Sequence, residues 1–297
     1  MKRNLQKAAV VIFTYKKTDF LCNIIKETIK YNPPKIYFII DYSDSPEIII
    51  KQKKIRQLIS SIKTQAKVTV FSPSSHQSVK QIFDYGLNEV FKHEQEAIIL
   101  EDDTMPSPLF FEFCSEMLVL KKHESRIGAI CGCNLDAVEK PSSYFLSNVA
   151  LPFWGWATWK HKWSMLERTY DFWLDYRNKN TRSSSSKFLQ IIEPIFDRSV
   201  NKDKSWDVRW SMFLLANDLQ TILPSINLIS NKGFTEEATY TNIENSQFAN
   251  LKVPNVNFTP PYKQIEDTSA LNSYHNKISL FIQDIAKRNT TNEKATF

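Results

Sequence analysis

A layered α/β fold with a mostly parallel central sheet is predicted for this chain of 297 residues. Three observations predict it. Apolar, β-branched runs alternate with amphipathic stretches of helical spacing across residues 8–131, the rhythm of βαβ units, whose crossovers set strands parallel with helices on both faces. The 42% apolar and 24% charged content is that of a soluble globular protein long enough to bury a sizeable core. Acidic residues also stand where apolar runs end, the edge at which such sheets bind ligands.

Ala8 to Phe13 is the first strand. Thr18 or Asp19 caps a helix to about Tyr31, with Phe20, Leu21, Ile24, Ile25 and Ile29 on one face. Asn32-Pro33-Pro34 stops it. Lys35 to Ile40 is the second strand and runs into Asp41; Ser45-Pro46 then opens a helix to roughly Thr64. Lys67 to Phe71 is the third strand, and Ser74 to Phe91 reads as a helix through Val79, Ile82, Phe83, Leu87 and Val90. Ala97 to Leu100 is wholly apolar, the mark of a strand buried on both faces. Pro106 and Pro108 start a helix through Leu120, and Arg126 to Cys131 is a fifth strand.

The second half changes character. Rings crowd residues 144–176, among them Phe153, Trp154, Trp156, Trp159, Trp163 and Trp173. Thr181 to Lys187 is a polar low-complexity loop, read as mobile. Helices follow through Phe188–Phe196 and from Ser205-Trp206-Asp207, then an extended segment from Leu223 to Ile229 around Pro224. Residues 272–288 form an amphipathic helix that either packs on the body or lies on a membrane surface. The chain divides into residues 1–135, 136–245 and 246–297.

Composition excludes several classes. There are five glycines, and neither GxGxxG nor GxxxxGK[ST] occurs, which argues against dinucleotide dehydrogenases and P-loop enzymes. The net charge of +6 comes without a Lys/Arg run, so no nucleic-acid partner is expected. Cys22, Cys114, Cys131 and Cys133 form no CxxC pair and read as free thiols of a reducing compartment. Met1-Lys2-Arg3-Asn4 leads into a strand rather than a signal peptide, and no run approaches the roughly 20 apolar residues of a membrane span. The expected location is the cytoplasm, free or peripheral to the inner membrane face.

The chemistry concentrates at Glu101-Asp102-Asp103. Like charges repel, and desolvation adds to the cost of holding them together. A divalent cation removes that cost. Hard oxygen ligands suit Mg²⁺ or Mn²⁺, which bind through one or two carboxylates plus substrate phosphates. The plainer alternative is a solvated acidic loop. Thr14, Tyr15, Lys16 and Asp41 stand at the same kind of strand end.

Ile99 to Cys114, Trp154 to Trp159 and Asn231 to Thr239 resemble stretches of a group of bacterial sugar transferases: ILEDD-x-x-PSPxFFxFC, WGWATW and NxGF-x-x-x-AT. More distantly, the chain resembles the N-acetylglucosaminyltransferases of N-glycan branching, GT-A glycosyltransferases whose metal motif is Glu-Asp-Asp. The likeness spans roughly residues 8–241. It implies a Rossmann-like GT-A fold with an aromatic-rich acceptor half. It also implies a metal-dependent hexosyl- or N-acetylhexosaminyltransferase that uses a nucleotide-sugar, of the UDP kind, and builds a bacterial surface glycan or lipid-linked conjugate. Asp103 would hold the metal, with Glu101 and Asp102 on ribose, sugar or metal-bound water. Asp41 would read the uracil edge, and Lys16 and Lys80 would meet base or phosphate. Trp154 and Trp156 would back the donor sugar. Asp207 would be the general base of an inverting reaction; alternatively, it favours the helix dipole from the first turn. Glu236 and Glu237 are rivals for the base. Tyr240 departs from the group's pattern, where a histidine is common. Two other classes compete: a sugar-phosphate nucleotidyltransferase, disfavoured because Phe13 to Lys17 lacks glycine, and a non-catalytic glycan-binding or scaffold protein.

Overall fold

A computed structural model describes residues 6–137, 140, 142–180, 186–202, 205–234 and 246–292, with the side chains of all but 201, 202 and 284–292. The first half follows the expected alternation: β1 (Ala9–Thr14), α1 (Leu21–Tyr31), β2 (Lys35–Ile40), α2 (Pro46–Ser60), β3 (Lys67–Phe71), α3 (Val79–Phe91) and β4 (Glu96–Glu101). β1 lies between β2 and β4 and is parallel to both, with Thr14 opposite Ile40 and Phe13 opposite Glu101. This register brings the carboxyl ends of three strands to one edge. The strands are buried on both faces, as their unbroken apolar runs require.

The helix boundaries differ from expectation for local reasons. α3 starts at Val79, not Ser74, because Ser78 is extended and caps the helix. Its hydroxyl accepts from the Gln81 N–H at 3.3 Å, while the Gln81 side chain accepts from the Ser78 N–H at 3.0 Å. This reciprocal capping box satisfies two donors that the first turn leaves open. Residues 74–78 stay outside the helix, and the Gln77 N–H reaches Asp41 at the end of β2 at 3.1 Å. α2 ends at Ser60, several residues before Thr64.

The second half holds β5 (Thr104–Pro106), α4 (Pro108–Leu120), β6 (Ile127–Cys131), β7 (Ser143–Ser147), β8 (Trp156–Trp159), α5 (Lys160–Trp163), α6 (Asp171–Lys179), α7 (Lys187–Lys202), α8 (Trp206–Ala216), β9 (Gln220–Pro224), β10 (Ile229–Asn231), β11 (Lys263–Gln264) and α9 (Thr268–Asn292). The main sheet runs β11-β7-β9-β6-β8-β4-β1-β2-β3. β8 inserts between β4 and β6, antiparallel to both, so one sheet serves both halves. Gly155, at φ +63°, turns the chain into β8 in the left-handed region that favours glycine.

The single late strand expected over Leu223–Ile229 is two. β9 closes at Pro224, and β10 leaves the main sheet to pair antiparallel with β5 in a two-stranded ladder. Residues 181–185 of the expected polar loop lie outside the described residues.

The α9 segment packs on the body. Tyr274, Ile278, Phe281 and Ile282 are buried, and the His275 ring stacks on Phe188 at 3.9 Å between centroids. Among the described residues, no helix is long and apolar enough to cross a membrane. All four cysteines are free, and Cys114, Cys131 and Cys133 are buried.

Candidate active site

The carboxyl edge of β1, β2 and β4 opens into a cavity of about 440 Å³. Its walls come from the end of β1 through Lys17, from Asp41, from the loop leading into α3, and from the acidic triplet with Asn231. Thr14, Tyr15, Lys16, Asp41, Glu101, Asp102 and Asp103, scattered over the sequence, therefore line one space.

The parallel pairing of β1 and β4 sets the acidic end. Asp102 Oδ2 accepts from the Thr14 hydroxyl at 3.0 Å and from the Tyr15 N–H at 3.2 Å. Asp103 Oδ2 accepts from Lys17 Nζ at 2.8 Å. The Thr104 hydroxyl donates to the Glu101 carbonyl and accepts the Glu101 N–H, both at 2.9 Å, which fixes the bend between β4 and β5. Burial pushes the Asp102 carboxyl up to about 7, Asp103 adds repulsion, and Lys17 with the Thr14 and Tyr15 donors opposes the rise. Desolvation also raises the Glu101 carboxyl well above its ordinary value, and Asp103 and Asp207 add repulsion. Burial alone would lower the Lys17 ammonium, but Asp103, Asp102 and Glu101 outweigh it and the net shift is upward.

The opposite wall is built on Asp41. Its carboxylate accepts from the backbone N–H of Tyr42 at 2.8 Å and of Gln77 at 3.1 Å, and lies 2.6 Å from His76 Nδ1. Burial raises the Asp41 carboxyl, and these donors restrain the rise. The His76 ring lies 5.7 Å from Tyr15 at an interplanar angle of 28°.

Other expected residues fall elsewhere. Lys80 does not line the cavity; its ammonium lies 5.9 Å over the Tyr170 ring. Lys80 stands at the second position of α3, directly after Val79, which does line the cavity. Trp156, 1% exposed, stacks on Trp206 at 5.2 Å, and Trp154 makes edge contacts with Phe234 and Phe281. Neither indole reaches the cavity surface. Asp207, in the first turn of α8, accepts from the Val208 N–H at 2.9 Å and from the Ser205 hydroxyl. Burial raises its carboxyl, opposed by those donors. Its neighbour Trp206 stacks at 4.1 Å on Phe83 of the cavity wall; Asp207 itself does not line this cavity, but it is half-buried and close enough to Glu101 to raise that carboxyl. Glu236, Glu237 and Tyr240 lie outside the described residues.

Sequence reading missed Lys17, His76, Gln77 and Asn231. Lys17 adjoins Lys16, and only the turn after β1 decides which ammonium reaches Asp103. His76 and Gln77 were absorbed into a helix that starts later. Asn231 needed the β5–β10 pairing, which has no local signal.

The residues present fit a divalent cation of the hard-oxygen kind. Asp103 offers a carboxylate oxygen facing the cavity, beside two more carboxylates whose mutual repulsion a cation would relieve. Among the described residues, no group of three or more His, Cys, Asp or Glu is placed to hold a metal ion by itself. Mg²⁺ and Mn²⁺ bind through one or two carboxylates and fill their other positions with phosphate and water.

A parallel sheet with an open carboxyl edge, carrying acidic and basic side chains around a nucleotide-sized cavity, is the frame of a glycosyltransferase. The chain belongs to the GNT-I family, whose model matches residues 1–205. No curated protein matches. Among solved structures, HddC from Yersinia pseudotuberculosis, complexed with GMP-PN, is similar at 11% identity and a TM-score of 0.35, over 52% of this chain and 77% of that one. TarS of S. aureus is similar at 11% identity and a TM-score of 0.40, over 73% of this chain and 35% of that one.

Proposed function

We propose that the protein transfers a sugar from a nucleotide-sugar, of the UDP kind, to a hydroxyl of a glycan or glycoconjugate, with Mn²⁺ or Mg²⁺ at Asp103 and inversion at the sugar. The observation that carries this is the juxtaposition, across one cavity, of the Asp102–Asp103–Lys17 cluster and the Asp41–His76 pair. One end suits a diphosphate, the other a base edge. When bound, the cation would neutralise charge on the departing diphosphate.

The chain's own residues supply the rest. Lys17 and Lys16 offer ammonium groups to phosphate oxygens. The capped first turn of α3, with Ser78 and Val79 on the cavity wall, adds a positive helix end. Asp41 is fixed by two backbone donors and can accept from a ring N–H while His76 and Tyr15 flank the base. Asp207 is our general base: held by Ser205 and the Val208 N–H, it would take the proton of the acceptor hydroxyl from the side opposite the leaving group. Its raised basicity favours accepting that proton. In this reading Trp154 and Trp156 support the acceptor side from beneath, and Lys80 takes no part in phosphate binding.

The test is a screen of UDP- and other NDP-sugars with Mn²⁺, reading thermal shift and nucleotide release. A shift with UDP or a UDP-sugar that needs the metal supports the reading. Pyrophosphate formation from NTP and a sugar phosphate would replace it with nucleotidyl transfer.

A further inference from the structure

We infer that Gly233 is a positioning residue for Asp103, keeping clear the space in which the Asp103 carboxylate faces the cavity. The inference rests on the reading that Asp103 holds the cation, and names a second residue on which that function depends.

The β5–β10 ladder carries the argument. Asn231 is opposite Thr104, so the chain leaving β10 passes beside Asp103. The Lys232 N–H donates to the Asp103 carbonyl at 2.8 Å. The Gly233 N–H donates to the Asn231 side-chain oxygen at 2.6 Å, bending the backbone over the carboxylate. A Cβ built on Gly233 would lie 2.2 Å from Asp103 Oδ2, 2.8 Å from its Cγ and 2.9 Å from Asn231 Oδ1, with the Asp103 carboxylate by far the closest obstacle. Real contacts never come so close. Of the described glycines only Gly155 has a positive φ, so backbone conformation does not demand glycine at 233. Space does.

The same carboxylate oxygen receives Lys17 Nζ at 2.8 Å. Asp103 is therefore set by an attraction from β1's loop and a clearance from β10's end. An added methyl meets the tip of a rotatable side chain, not backbone. The carboxylate would swing away while the fold persists, and the cation would lose its placed ligand.

The test compares wild type, Gly233→Ala, Asp103→Ala and the double variant, each titrated with UDP in Mn²⁺ by calorimetry and melted without metal. Gly233→Ala is expected to weaken Mn²⁺-dependent UDP binding by about tenfold or more, the usual effect of losing a partner that orients a ligand. Its metal-free melting temperature should stay near wild type. On the Asp103→Ala background the same change should cost no further binding, because coupled residues are not additive. Wild-type binding by Gly233→Ala overturns the inference, as does an equal loss on both backgrounds. If Gly233→Ala fails to fold, the double variant must fold, since the carboxylate clash is gone and Asn231 Oδ1, the remaining neighbour at 2.9 Å, is a side-chain tip that can give by a few tenths of an ångström; failure of both overturns the inference. Asp103→Ala binding as wild type does would instead sink the parent reading, and the inference with it.

Discussion

Lys17 and Asp103 form an ion pair of 2.8 Å at the point where three carboxylates leave β4. Both side chains are mostly covered, so water screens the pair poorly. Removing the ammonium leaves Glu101, Asp102 and Asp103 to repel one another. Lys17→Met is expected to lose about 1–3 kcal/mol of metal-free stability, between the values for exposed and fully buried pairs. Added Mn²⁺ should then stabilise the variant more than wild type, since nothing competes for Asp103. Urea denaturation with and without Mn²⁺ checks both; unchanged stability would contradict the electrostatic account.

Asp207 separates binding from chemistry. Asp207→Asn keeps the shape and the first-turn hydrogen bonding but cannot accept a proton. Sugar transfer should fall by about 10²–10⁴-fold, the typical weight of a general base. UDP affinity in Mn²⁺ should not change. Equal loss of binding and turnover would show that Asp207 serves the donor site instead.

Arg209, 1% exposed on α8, pairs with Asp84 of α3, and Arg168 joins the same carboxylate at 2.6 Å. This clamp ties the helix of Asp207 to the helix whose first turn walls the cavity. Asp84→Ala strands a buried guanidinium and should cost about 3 kcal/mol or more. The urea midpoint measures it. A shift of a few tenths would mean the pair contributes little.

His275 gives the acid limb. Burial drops its pKa to about 4, below the ordinary imidazole range. The ring stacks on Phe188, and its Nε2 lies 2.9 Å from the Ser147 hydroxyl. A folded pKa below the unfolded one means the unfolded chain takes up the proton first. Stability contributed by neutral His275 is whole above the unfolded pKa, falls as pH drops below it, and is gone below about 4. His275→Gln should flatten the fall between roughly pH 6.5 and 4, read from melting temperature against pH. A variant with the wild-type slope would contradict this.

The first half of the fold was legible because its information is local. The strand runs of Ala8–Phe13 and Ala97–Leu100, and the helix-start signals at Ser45-Pro46 and at Pro106 and Pro108, each declare an element within a few residues. The clustering of Thr14, Tyr15, Asp41 and the triplet followed, since parallel strands share a carboxyl edge. What stayed hidden depends on distant pairing. The rings of the aromatic segment point to core or sugar-backing roles without declaring an element, yet Trp156–Trp159 is a strand between β4 and β6. Nothing near Pro224 announces that Ile229–Asn231 leaves for β5. Helical spacing over residues 74–91 does not reveal that Ser78 is the cap, nor that the Lys80 ammonium lies over Tyr170 rather than in the cavity.

The most direct measurement is anomalous diffraction near the manganese edge from crystals soaked with Mn²⁺ and UDP. The expected result is a manganese peak beside Asp103 that joins its carboxylate to the diphosphate, with the uracil on the Asp41 side. A diphosphate lying away from Asp103 with no manganese between them would contradict the account.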